Sequence, residues 1–114
     1  MNYDLEKRTK DFAKEVIRYC KGVKINQLNS NIISQLLRSS TSVGANYREA
    51  NGASSKNDFR NKIYLCRKEI QETEYWLELL GEIDTVKKKE LDTLSKEAHE
   101  LCLIFNKITS SLKN

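Results

Sequence analysis

The chain of 114 residues has no proline, four glycines, three cysteines and one histidine. Each scarcity removes a class of structure. Proline marks turns and helix edges, so its absence favours long uninterrupted helices joined by short connections. The cysteines Cys20, Cys66 and Cys102 are odd in number, far apart and form no C-x-x-C pair. They read as small buried thiols of a reduced, cytoplasmic protein. Metal sites in helical bundles draw Glu-x-x-His from two helices, which needs two histidines, and only His99 is present. No apolar run approaches the roughly 18 residues of a membrane span. The opening MNYDLEKRTKDF is charged and lacks the apolar core of a signal peptide. No membrane partner is expected.

What is there is charge and helical periodicity. Hydrophobic residues make up 39% and charged residues 32%, the balance of a soluble globular chain. The length suits one domain spanning 1–114, with a core that needs no disulfide or metal. The net charge of +4 is uneven. Residues 1–48 carry nine Lys and Arg against four Asp and Glu, whereas residues 49–114 carry eleven against twelve. A basic first half beside a near-neutral remainder fits either an anionic partner or an ordinary solvated surface.

Four helices are expected, at about 4–23, 30–51, 56–81 and 86–112. In the first, Leu5, Phe12, Val16, Tyr19 and Val23 share one side. Lys7, Lys10, Lys14, Arg18 and Lys21 gather opposite, within an arc of roughly 80°. This stripe reads as a solvated face or as a track for nucleic-acid phosphates. It carries no aromatic residue, so base stacking is not suggested. Asp4 is a candidate N-cap, and Gly22 a candidate stop. The second helix, capped by Asn29 or Ser30, carries the low-bulk run SSTSVGAN at 39–46. Gly44 within it costs about 1 kcal/mol against alanine in a helix interior, which implies that something approaches closely. The neighbour is another helix backbone or a ligand, but no G-K-S/T of a phosphate-binding loop is present.

Ser55 and Asp58 have capping-box spacing before the third helix. Phe59, Ile63, Cys66, Ile70, Thr73, Leu77 and Leu80 then step by four and three, the seam of helices packed at a shallow angle. Tyr64, Tyr75 and Leu79 lie on the other side of that helix, with Leu65 and Trp76 between. One small bundle cannot bury both sides, so Tyr64, Tyr75, Trp76 and Leu79 are candidate oligomer contacts. The fourth helix, capped by Asp84 or Thr85, repeats the seam at Leu91, Leu94, Ala98, Leu101, Phe105, Ile108 and Leu112. Lys87, Lys88 and Lys89 sit in its first turn against the helix dipole, a hint of an anion site or plain solubilising surface. The architecture expected is all-α, an up-down-up-down antiparallel four-helix bundle.

No reaction is legible. His99 and Cys102 share one turn, but tetrahedral zinc wants four ligands, so no metal and no cofactor are expected. The Arg-x4–6-His motif of helical ribonucleases is absent, because Leu94, Thr93 and Asp92 occupy the arginine positions relative to His99. The chain reads as no enzyme and as taking no small-molecule substrate.

The blocks QLLRSSTSVGANYREAN and SKNDFRNKIYLCRKEIQETEYWLELL resemble a known bacterial family, the four helix bundle proteins. That family includes proteins encoded in the intervening sequence of 23S ribosomal RNA genes. The most specific matches are Gln35, Leu36, Leu37, Arg38, Ser42, Val43, Gly44, Ala45, Asn46 and Glu49, then Phe59, Glu69, Glu72, Glu74 and Leu77. Many members carry S-I-P-x-N-I-A-E-G where this chain has S-V-G-A-N-Y-R-E-A. A more distant likeness is to the accessory variability determinant of diversity-generating retroelements. The resemblance implies a homopentamer of bundles around a central pore, without catalytic residues. For the retroelement relative it implies a basic surface that binds RNA or DNA and a reverse transcriptase partner. A protein-interaction scaffold with no nucleic-acid role is the alternative.

Overall fold

A computed structural model describes residues 4–112. Four helices follow in order: α1 Leu5–Lys21, α2 Ser30–Asn51, α3 Lys56–Ile83 and α4 Lys88–Ser111. Among the described residues there is no strand. The helices pack in chain order around one axis, α1 on α2 and α4, and α3 on α2 and α4. Cross-helix bonds give the direction. Along α2, Arg38, Val43 and Glu49 meet Glu69 and Glu72, then Cys66, then Lys62 of α3, so one number climbs while the other falls. At about 1.5 Å per residue the 28 residues of α3 span about 42 Å. The molecule's long dimension is 44 Å.

The apolar seams of all four helices turn inward. Phe105, Leu36, Ile63, Ile70 and Leu101 have no exposed surface. Thr9 and Ile104 belong to the same interior although their neighbours in sequence do not announce them. The buried hydroxyls are all satisfied within the fold. Thr9 donates to the Leu5 carbonyl at 2.6 Å, and Thr73 bonds Ser39 across the α2–α3 seam at 2.9 Å. Small side chains at Ser39, Ser40 and Val43 let α2 lie closely on α3, the most extensive of the helix contacts.

Gly44 faces the other neighbour. A Cβ there would stand 3.1 Å from Thr9 Oγ1 and 3.6 Å from the Thr9 carbonyl carbon. The close approach implied by the low-bulk run is therefore to a helix, α1. Thr9 Oγ1 is held by the Leu5 carbonyl and has little room to retreat. Gly44→Val is expected to push α1 off α2 and lower stability by about 1–3 kcal/mol, measured by urea unfolding. A neutral result would mean that the α1–α2 contact is loose.

The ends differ in detail from the capping expected. Asp4 stands at the N-cap of α1 but in a left-handed conformation, φ 49°, without a side-chain cap bond. Asn29 precedes α2, yet its side chain turns back into the joint, accepting from the Asn26 amide while Asn26 Oδ1 accepts from Leu28 and Asn29. Ser55 does cap α3, accepting from the Asp58 amide at 3.0 Å. Helix α3 runs through Gly81, where a Cβ would meet open space, and stops at Ile83. Neither Asp84 nor Thr85 is the cap of α4, which begins at Lys88 with Lys87 before it. Asp84 instead ties the joint together. Its Oδ1 accepts from the Val86 and Lys87 amides at 3.0 Å, and its Oδ2 accepts from the Tyr19 hydroxyl. Burial alone would push this carboxyl up. The bonds from Tyr19, Lys87 and Val86 outweigh burial and hold it below the ordinary carboxylate value.

Candidate nucleic-acid interface

The stripe of α1 follows from its wheel. With Leu5, Phe12, Val16 and Tyr19 inward, Lys7, Lys10, Lys14, Arg18 and Lys21 must point out, and all five are exposed. From Lys7 to Lys21 the stripe covers about 21 Å, roughly six base-pair steps of a duplex. Two of its members are partly committed. Lys7 pairs with Asp11 at 2.7 Å, and Arg18 pairs with Glu15. The hydrogen bond between Lys7 and Asp11 raises the lysine's pKa and lowers the carboxyl's, so both stay charged. Lys10, Lys14 and Lys21 have no ion pair among the described residues. These three fall within about 40° of each other on the α2 side of the stripe. Arg48 of α2 extends that surface, since Lys10 and Arg48 flank the same shallow depression between α1 and α2.

Two ion-pair networks join the helices. Arg8 clamps α1 to α4 through Glu97, at 2.8 Å with both oxygens, and Glu100 at 2.9 Å. The Glu97 bond raises the guanidinium's pKa despite partial burial. Arg38 joins α2 to Glu69 at 3.1 Å and to Glu72. In sequence Arg8 has Asp4 and Asp11 one turn away and gives no sign of a cross-helix partner, whereas Arg38 has no acid within a turn. These pairs are structural and add nothing to the stripe.

A cavity of about 800 Å³ is the groove between α1 and α4, the least extensive of the contacts between neighbouring helices. Phe12, Tyr19 and Leu94 form its apolar wall. Its charges largely pair with one another, Arg18 with Glu15 and Lys87 with Glu90. Burial and the Asp84 bond raise the Tyr19 pKa, so its hydroxyl stays protonated. His99 is an exposed imidazole on α4 whose Nδ1 lies 3.2 Å from Glu74. Cys102 shares Glu74 as a neighbour and is pushed up to about 11, first by burial. Cys20 is likewise raised to about 11 and Cys66 to about 12. None is a ready thiolate. Among the described residues no group of three His, Cys, Asp or Glu could hold a metal ion.

The outward side of α3 carries partly exposed apolar groups. Tyr75 is 53% and Leu65 37% exposed, and Tyr64 and Leu79 are intermediate. Arg67 covers the Tyr64 ring at 5.2 Å. Trp76 behaves differently from the others. It leans on the core, donates to Glu72 at 3.0 Å and meets Tyr75 edge-on at 5.0 Å.

A family model, described as 23S rRNA-intervening sequence protein, matches residues 1–107. The chain belongs to that family. A crystal structure of a protein with unknown function from the S23 ribosomal protein family of Bacteroides thetaiotaomicron VPI-5482 is similar to it. The two are 32% identical with a TM-score of 0.78, covering 91% of this chain and 96% of the other. The similarity therefore spans the whole bundle. No match was found among curated proteins. As a member of the 23S rRNA-intervening sequence protein family, the chain shares the all-α four-helix fold described above. No helix is long and apolar enough to cross a membrane among the described residues.

Proposed function

We propose that this protein is a non-enzymatic, cytoplasmic accessory that binds the phosphate backbone of RNA or DNA. The observation that carries the reading is the α1 stripe, exposed over its length, with Lys10, Lys14 and Lys21 uncommitted to any carboxylate. Each lysine that meets a phosphate releases a condensed counterion, so the affinity must fall steeply with salt. The family is named for the intervening sequence of 23S rRNA, which makes RNA the first ligand to try. Fluorescence anisotropy with a labelled RNA at low and moderate salt tests the reading. Absence of binding at low salt, or binding indifferent to salt, overturns it.

The apolar outer side of α3 favours self-association, and the proposed assembly is a homopentamer. Repetition of a weak stripe around a ring multiplies its contacts without any new chemistry. Light scattering is expected to return roughly 66 kDa, five copies of the 13.2 kDa chain. Tyr75→Glu with Leu79→Glu is expected to reduce this to the mass of one chain while leaving the helical circular dichroism intact. A wild-type monomer at micromolar concentration would sink the assembly. A monomer that still binds RNA would separate the two claims.

A further inference from the structure

The joints 22–29 and 84–87 lie at the same end of the bundle, although more than fifty residues apart in sequence. The Tyr19–Asp84 bond and the stacking of Lys87 over Tyr19 at 5.9 Å fix them together. Three of the most exposed large apolar residues sit on these joints: Ile25 at 53%, Leu28 at 68% and Val86 at 90%. Between the joints is a depression of about 300 Å³, walled by Val23, Leu28, Leu80, Ile83 and Val86. Lys24 and Lys87 line it, and Lys21, Lys88 and Lys89 stand at the same end of the bundle. Lys21, Lys24 and Lys89 have no ion pair among the described residues, whereas Lys88 lies 3.8 Å from Asp92 and Lys87 4.0 Å from Glu90. Of the carboxylates at this end, Asp84 is saturated by the Tyr19 hydroxyl and two amides, and Glu82 has no ion pair among the described residues.

We propose that this end of the bundle docks an acidic peptide segment of a partner protein, with one large apolar side chain of the peptide seated between Leu28 and Val86. The chemistry selects that occupant. An apolar hollow that holds one anchor and is bordered by polar groups is the form of a protein-interaction hot spot. Uncommitted lysines attract carboxylates and repel basic partners. Nucleic acid would use the lysines but leave the aliphatic wall idle, because base stacking needs aromatic faces. A lipid surface would take up the protruding Leu28 and Val86 but would leave the hollow behind them, walled by Val23, Leu80 and Ile83, unfilled. The site shares Lys21 with the α1 stripe but not Lys10 or Lys14, so variants at those two positions separate peptide binding from RNA binding.

The probe is a synthetic fluorescein-labelled peptide with a central Leu-Phe pair flanked by runs of glutamate, titrated with the full chain. A peptide with Ser-Ser at the centre serves as control. The Leu-Phe peptide is expected to bind about tenfold or more tightly than the control, a difference of roughly 1.4 kcal/mol. Leu28→Ser with Val86→Ser should remove that advantage while leaving the melting curve unchanged, since both side chains are exposed in the free protein. Lys10→Glu with Lys14→Glu should leave peptide binding within about twofold. Equal affinity for both peptides, or an unchanged double-serine variant, overturns the proposal. So does loss of oligomer mass in that variant, which would make the end a contact between copies. Preferential capture of phosphatidylserine vesicles or of RNA through Leu28 and Val86 overturns it as well.

Discussion

Phe105→Ala is expected to remove about 3–5 kcal/mol of stability, a third or more of what a domain of this size commonly has. Phe105 has no exposed surface and lies where the α4 seam crosses towards α2, its ring edge-on to Tyr47 at 6.1 Å. Truncation removes the transfer free energy of the ring, leaves a cavity among fixed helices and abolishes an aromatic pair worth about 0.5–1.5 kcal/mol. The melting temperature should fall by about 10–20 °C. Phe105→Leu keeps most of the volume and should cost no more than about 1.5 kcal/mol. Both are to be compared at one protein concentration, because assembly would make stability depend on it. A loss below about 1 kcal/mol for Phe105→Ala would show that the core collapses around the site instead of resting on it.

Reversing two lysines should do to binding what Phe105 does to folding. Lys10→Glu with Lys14→Glu replaces two unpaired cations in the middle of the stripe with two anions. If all five stripe residues meet phosphates, log K against log salt for a single strand has a slope of about −3.5. Removing two contacts brings it to about −2, before any repulsion from the new carboxylates. The affinity at low salt is expected to fall by at least about tenfold per protomer, more in a multivalent assembly. Stability should be nearly unaffected, because both positions are exposed and hold no ion pair. Lys7→Glu is a weaker test, since Lys7 already shares its charge with Asp11. An unchanged slope in the double variant would remove α1 from the interface.

Helix periodicity made most of the fold legible. Leu5, Phe12, Val16 and Tyr19, or Ile63, Cys66, Ile70, Thr73 and Leu77, announce a buried side because residues three and four apart share a face whatever packs on it. The stripe was readable for the same reason. The ends were less so, because Asp84 and Asn29 each had several amides or hydroxyls in reach. Asp84 bonded the joint and Tyr19 instead of capping a helix, a choice settled by a residue 65 positions away. Trp76, placed in sequence between the seam and the outward side of α3, lies at the core edge and donates to Glu72.

By itself the sequence determined four amphipathic helices, which side of each faces inward and the exposed basic face of α1. All of these depend on spacing within one turn or two, and backbone geometry converts that spacing directly into a face. Only the tertiary structure decided that Gly44 receives Thr9, that Arg8 and Arg38 belong to cross-helix clamps, and that Leu28 and Val86 wall one hollow. Those facts depend on which segments distant in the chain lie side by side, and that is set by the packing of the whole core.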